Sequence, residues 1–360
     1  MPGLTLPPFP DNIPTHPLLV VDYELLKAGD SDEIDKLWKA ATDLGFWYLK
    51  THGVENEVEG MFEMGAETMD LPLEEKLKFD QGVEGRVFGY KAMGAMATNE
   101  YGNPDNNEMI NVAKDDAIAY PNVVYRTYPS TVYARMQSTI IPFVRKADEA
   151  IHTIYSVFEK KLGLPEGALR KLHPLTEESS SDARIIKTPP KNMNLDGIVE
   201  KDKVTHGPHT DVGSLSFLHN RLGGLQVLPP GTSEWQYILP IPGHAICNIG
   251  DTLAMFSGGI LSSSMHRVVP PPGAQGAYTR WSCVLFSRPA SNVPLRALEE
   301  GDAVKEALLR MTPEERARYN PGVTQGEWYV RRVKNSRLKN RKGPETYYAS
   351  RGMEHKPTII

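Results

Sequence analysis

The sequence predicts an α+β chain whose core is a sandwich, barrel or jelly roll of short antiparallel strands, with helices on both sequence sides. Three observations carry this. After about residue 182, short β-rich runs recur at intervals of about ten residues, with Gly, Pro, Ser or Asn in nearly every gap. Before them stands the longest periodic segment, 130–162, with Ile140, Phe143, Ala147, Ile151, Ile154 and Phe158 on one side. After Pro289 the pattern returns to a charged, periodic texture over 294–318.

Each element follows from its residues. Leu18-Leu19-Val20-Val21-Asp22 is a short apolar run and reads as a buried strand. A turn at 29–32 leads to Ile34, Leu37, Trp38, Ala41 and Leu44 at helical spacing, with Ser31 as N-cap and Gly45 as the stop. Phe46-Trp47-Tyr48-Leu49 has the aromatic character of a strand. A helix over 58–70 is stopped or restarted by Pro72. Residues 82–111 read as a loop with five glycines and large apolar groups. That composition suits a segment folded over a pocket and equally a long surface loop. The helix over 130–162 is expected to kink at Pro142 and to end at Gly163 and Pro165. Eight strands follow, at 184–187, 214–218, 225–228, 235–238, 246–249, 253–256, 265–269 and 280–286. Repeats and linkers are absent, so the expectation is one domain over 1–360. Its helical region with edge strands covers 1–181, its β core 182–288, and its C-terminal helical region and tail 289–360.

Composition excludes several classes. The 360 residues are 40% hydrophobic and 24% charged, which is globular rather than disordered. The formal net charge of -5 gives no general attraction to nucleic acid or an anionic membrane, and neither is expected as a partner. Residues 1–14 carry five prolines and no signal-type apolar region, and no run of about 18 apolar residues occurs. Cys247 and Cys283 lie in apolar runs as buried free thiols of a reducing compartment. The expectation is therefore a cytoplasmic enzyme, monomeric or weakly homo-oligomeric.

Of the ten histidines, only His209 is followed two residues later by aspartate, Asp211. On a strand these two side chains share a face. Taken alone the pair could be a hydrogen-bonded surface contact. Fifty-five residues past Asp211, another expected strand carries His266. Two imidazoles and one carboxylate with an open side form the facial triad suited to Fe(II), whereas a structural zinc site closes its fourth position, usually with thiolate. Fourteen residues past His266, Arg280 and Ser282 share a face by the same period of two. A buried guanidinium needs an anion, either a cosubstrate carboxylate or a structural acid such as Asp251.

These residues sit in longer matches. The segments 17–22 and 45–54, His209-Thr210-Asp211 with Gly223-Gly224-Leu225-Gln226-Val227, Asn248-Ile249-Gly250-Asp251 leading to 262–269, and Arg280-Trp281-Ser282 occur in one order. In that combination the chain resembles the Fe(II)/2-oxoglutarate-dependent dioxygenase superfamily, in the branch typified by isopenicillin N synthase. The resemblance implies a distorted double-stranded β-helix (jelly roll). It implies Fe(II) held by His209, Asp211 and His266, and the distal carboxylate of 2-oxoglutarate held by Arg280 and Ser282, with O2 as the other cosubstrate. Many relatives carry Tyr just before the Pro-Pro after the first core strand; here Lys187-Thr188-Pro189-Pro190 offers Thr188. The loop 270–278 is also longer than in plant relatives.

The activity so implied couples oxidation of 2-oxoglutarate to succinate with attack on a substrate C–H bond, giving hydroxylation, or desaturation, cyclisation or ring expansion by a diverted radical. Two rivals stand beside it: an isopenicillin N synthase-like oxidase that uses no 2-oxoglutarate, and a non-catalytic metal-binding β-sandwich protein. The tail 331–342, with seven basic residues of twelve, fits either a nucleic-acid patch or the solvated face of a helix. Phe88, Tyr90, Met93, Asn111, Phe217, Phe286 and Trp328 are candidates for the substrate wall, and each also fits the core. Their character suits a mid-sized, fairly apolar small molecule. The wording around Gly89-Tyr90-Lys91 resembles fungal biosynthetic relatives, hence secondary metabolism.

Overall fold

A computed structural model of the chain describes residues 6–190 and 204–353. Its twelve described strands are β1 (Val20–Asp22), β2 (Phe46–Lys50), β3 (Gly89–Lys91), β4 (Glu108–Ala113), β5 (Asp182–Thr188), β6 (His206–His209), β7 (Leu215–Asn220), β8 (Leu225–Val227), β9 (Gln236–Tyr237), β10 (Ala245–Ile249), β11 (His266–Val268) and β12 (Arg280–Ser287). They form an eight-stranded sheet in the order β1-β2-β10-β7-β12-β5-β4-β3 and a four-stranded sheet in the order β6-β11-β8-β9. All pairings are antiparallel except β1 with β2. This is the jelly-roll architecture expected of the core.

Side-chain alternation gives the large sheet two different faces. Leu215, Phe217, Cys247, Cys283 and Leu285 point to the outer face and pack with Phe143, Ile151, Ile154 and Phe158 of the helix Ile141–Leu162. The helix Glu55–Met69 covers the same side and lies against β5 and β12. Both cysteines are buried and free, and burial pushes their thiols far above the usual range. The inner face meets the small sheet: Phe46, Tyr48 and Ile246 pack with Leu225, Val227 and Ile238. Where this packing stops, a cavity begins.

Several boundaries differ from expectation for local reasons. Asp30, not Ser31, caps the helix Ser31–Asp43, its carboxylate accepting from Glu33 N at 2.9 Å. A six-residue helix, Tyr23–Ala28, follows β1 and is capped by Asp22. Pro142 makes no kink: it lies in the first turn of its helix, where its missing N–H is no loss, and the irregularity is a π segment at Met136–Ile140. Residues 253–256 are not a strand but part of the buried helix Asp251–Phe256, a distinction that a four-residue apolar run cannot make. Residues 82–111 are not all loop, since β3 and part of β4 lie there; the polar side chains of β4 disguise a strand buried on both faces. Strand β6, His-Gly-Pro-His, has almost no β propensity and is set by pairing with β11. Two shorter helices, Asp302–Leu309 and Pro313–Ala317, take the place of one helix over 294–318. The helix Gln325–Ser336 opens on a capping box of Thr324 and Glu327.

Candidate metal centre and its cavity

His209 closes β6 and His266 opens β11, and the two are register partners on adjacent antiparallel strands. That pairing is why residues far apart in sequence meet, with ring centroids 4.2 Å apart. Asp211 lies beyond the end of β6 rather than on it, so turn geometry, not strand alternation, aims its carboxylate. Its Oδ1 is 3.7 Å from Nε2 of both histidines. One ligand atom from each of the three lies within 4.8 Å of the others, and among the described residues this is the one such group.

The surroundings orient each donor. The Nδ1 of His209 is 2.8 Å from Gly207 O, and that of His266 is 3.2 Å from Ser264 O. These carbonyls accept a hydrogen bond from Nδ1–H and so leave both Nε2 atoms, the sides that face Asp211, free to ligate. The other oxygen of Asp211, Oδ2, accepts from Ser216 Oγ at 2.5 Å and Asn248 Nδ2 at 2.8 Å. Burial would raise this carboxyl, but the two imidazoles, the amide and the hydroxyl outweigh it and bring it to about 2. Burial and the neighbouring His266 hold the His209 imidazole well below the usual range and therefore neutral. Two imidazole nitrogens and one carboxylate oxygen on a one-sided site fit a divalent iron.

Behind the ligands lies a second network. Asp251 accepts from Thr210 Oγ1 (2.9 Å), Ser263 Oγ (2.8 Å) and Arg332 Nη1 (2.6 Å), and its N–H donates to Asp211 O at 2.7 Å. Arg332 also donates to Thr210 O at 2.8 Å. The acid considered as a partner for Arg280 thus belongs to Arg332. The basic tail is correspondingly not a wholly solvated face: Arg332 and Arg337 are buried, while Arg331, Lys334, Lys339 and Lys342 are not.

Arg280 is buried at the start of β12, donating Nε to Gly223 O (2.8 Å) and Nη1 to Ser282 Oγ (2.6 Å). Thr188 is its register partner on β5. Gly224, at φ +112°, allows this approach: a Cβ there would meet Val269 O at 2.4 Å and Arg280 Nε at 3.3 Å. Burial alone, with no acid to offset it, pulls the guanidinium down to about 10. It stays charged at neutral pH and lacks a counter-ion among the described residues.

His209, Asp211, His266, Arg280, Ser282 and Thr188 all line one cavity of about 190 Å³ between the two sheets. Of the seven residues considered for a substrate wall, Phe286 lines it. Phe217 has the wrong parity on β7 and packs outward among the helices. Phe88 stacks on Tyr125 at 4.8 Å, and the Tyr90 hydroxyl donates to Glu108 at 2.7 Å. Trp328 is buried in the helical core, and Met93 is exposed. Asn111 stands on β4 opposite Arg184, outside the cavity lining. The segment 82–111 does contribute to the wall, through Val87, Met96, Ala97, Asn107 and Met109. Arg184, Arg288 and Tyr329 line it too, beyond the residues that sequence pattern singles out. The alternation that selects Ser282 continues through Val284 and Phe286 to Arg288, so one of the three was legible.

Two family models match the chain. One, described as the N-terminal part of non-haem dioxygenases in morphine synthesis, covers residues 18–130; the other, described as the 2OG-Fe(II) oxygenase superfamily, covers 186–289. A 2-oxoglutarate-dependent dioxygenase of Aspergillus fumigatus is 27% identical over 320 residues, 81% of this chain and 80% of that one. The oxidoreductase vrtI of Penicillium aethiopicum is 29% identical over 303 residues, 81% and 70% of the two chains. In fold, a full-length Neurospora crassa protein in complex with alpha-KG superposes with a TM-score of 0.71 at 23% identity, covering 88% of this chain and 95% of that chain. JOX2 in complex with 2OG, Fe and JA gives 0.68 at 18% identity, covering 97% and 94%. Residues 186–289 hold the His-Asp-His cluster and the buried Arg280 together. On the matched segments, the named relatives and the shared fold, the chain belongs to the 2OG-Fe(II) oxygenase superfamily and is an oxidoreductase that uses Fe(II) and 2-oxoglutarate.

Proposed function

We propose that His209, Asp211 and His266 hold the iron, that Arg280, Ser282 and Thr188 receive the distal carboxylate of 2-oxoglutarate, and that a small molecule of secondary metabolism occupies the rest of the cavity. The convergence of three ligand atoms within 4.8 Å carries this reading. When bound, the iron supplies activation of dioxygen coupled to oxidation of 2-oxoglutarate to succinate and carbon dioxide. The chain's own part is positioning. Ser216 and Asn248 fix one oxygen of Asp211 and leave the other free to ligate. Gly207 and Ser264 fix the imidazole tautomers. Arg280 offers a planar fork to a carboxylate and gains the counter-ion it lacks, while Ser282 adds a hydroxyl. Phe46, Ile186, Leu218 and Val284 keep water from the reacting C–H bond.

His209→Ala and Asp211→Ala, purified anaerobically with iron, should lose bound iron and succinate formation while keeping the wild-type circular dichroism. Undiminished iron content and turnover in either variant would defeat the assignment.

A further inference from the structure

Along β12 the residues that face the cavity run from Arg280 through Ser282, Val284 and Phe286 to Arg288 just past the strand. Two arginines therefore stand at opposite ends of one face, roughly 25 Å apart along an extended strand. A five-carbon diacid cannot bridge them. If Arg280 takes 2-oxoglutarate, as proposed above, the Arg288 end must be accounted for separately.

That end has more positive charge than its own acids neutralise. Asp182 is the carboxylate of Arg288 (Nη1 to Oδ1, 2.7 Å) and of Arg184 as well (Nε to Oδ2, 3.0 Å; Nη2 to Oδ1, 3.3 Å). One anion thus serves two guanidiniums. Among the described residues Asp211 is the one acid lining the cavity, and it faces the histidines. The same end is rich in unused donors. Tyr329 is 3% exposed, lines the cavity, and its hydroxyl has no partner among the described residues. Nε of Arg288, which lines the cavity too, has none either. Both guanidiniums lie against the ring of Phe286, at 4.6 Å for Arg184 and 5.0 Å for Arg288, and Arg288 is 4.9 Å from the Tyr329 ring. Buried donors without acceptors, beside two guanidiniums that share one carboxylate, describe a site for an anion.

We propose that Arg184, Arg288 and Tyr329 bind a carboxylate of the substrate, so that this oxygenase acts on an organic acid held by its acid group at one end of the cavity, with the reacting C–H bond toward His209, Asp211 and His266. The substrate is then amphipathic, with an apolar body against Phe286, Val284 and Met109 and an ionised head.

The test uses the full chain loaded with Mn(II) in place of iron and saturated with 2-oxoglutarate, so that binding is read without turnover. Calorimetric titrations compare phenylacetate, 4-phenylbutyrate, trans-cinnamate and decanoate, each with its methyl ester. At least one acid should bind more tightly than its ester by on the order of tenfold or more. Arg184→Gln and Tyr329→Phe should each erase that preference, while their affinity for 2-oxoglutarate stays at the wild-type value. These variants are preferred because Arg288 also donates to Ser180 O and its loss could impair folding; the unchanged 2-oxoglutarate affinity reports an intact cavity. No acid favoured over its ester, weak or absent binding included, overturns the proposal, as does an acid preference that survives both substitutions. A wild-type protein that binds no 2-oxoglutarate overturns the reading of the Arg280 end, and the proposal with it.

Discussion

Both faces of the eight-stranded sheet bury side chains, yet they are built on different principles. On the outer face Phe217, Cys247, Cys283 and Leu285 meet helical side chains. A prominent polar group there is also satisfied: His173 places Nδ1 2.7 Å from Leu169 O and Nε2 2.7 Å from Ser214 Oγ. On the inner face the same strands present Asp211-binding Ser216 and Asn248, then Arg280, Ser282 and Arg288. Several of these keep charge or hydrogen-bonding capacity unspent. Burial by itself does not separate scaffold from site. What separates them is unpaired charge: the outer-face core leaves only neutral groups such as the Trp47 and Trp328 indole N–H without a partner among those named, whereas the inner face buries the Arg280 guanidinium with no acid beside it among the described residues.

Three measurements can break or sharpen that contrast. The largest effect belongs to Arg280, buried without an acid. Arg280→Leu should weaken 2-oxoglutarate binding to the Mn(II)-loaded protein by about 4 kcal/mol, near a thousandfold. The unfolding free energy should change by about 1 kcal/mol or less, because a desolvated, unpaired charge is removed along with two hydrogen bonds. A large stability loss with intact 2-oxoglutarate affinity would place Arg280 in the scaffold instead.

Phe217→Ala should show the opposite pattern. It empties a fully buried ring site on the outer face and should cost about 3–4 kcal/mol in denaturant unfolding, with 2-oxoglutarate affinity unchanged. A loss of affinity without a loss of stability would return Phe217 to the substrate wall.

The smallest effect concerns His173. Burial draws its imidazole from 6.5 down to about 3, so the folded state keeps it neutral while the unfolded chain takes up a proton as the pH falls through 6.5. Its contribution is therefore complete above that value and is lost on acidification toward the folded value, amounting to about 2 kcal/mol by about pH 5. His173→Gln should flatten the slope of stability against pH over this window by about one proton. An unchanged slope would mean that His173 does not titrate between the folded and unfolded states.

Much of the chemistry was legible beforehand because it resides in local patterns. His209, Asp211 and His266 are rare residues at telling separations, and Arg280 with Ser282 follows from a period of two. The pattern misled where short range carries no information. The helix at 253–256 and a strand look alike as four apolar residues, and β6 contains glycine and proline. The wall candidates were chosen for side-chain type, yet parity on β7 turns Phe217 away, and Trp328 faces the core while its neighbour Tyr329 faces the cavity.

By itself, then, the amino-acid sequence determined the class of chemistry, the ligand set expected for the iron and the helix–β–helix layout, since donor types and periodicities are written residue by residue. Only the tertiary structure decided that β6 lies beside β11, that Asp251 belongs to Arg332 rather than to Arg280, and that two arginines share Asp182 at the far end of the cavity. Those are statements about which distant groups meet. Charge balance in a dry cavity depends on every group that the fold brings within reach, and on no single stretch of chain.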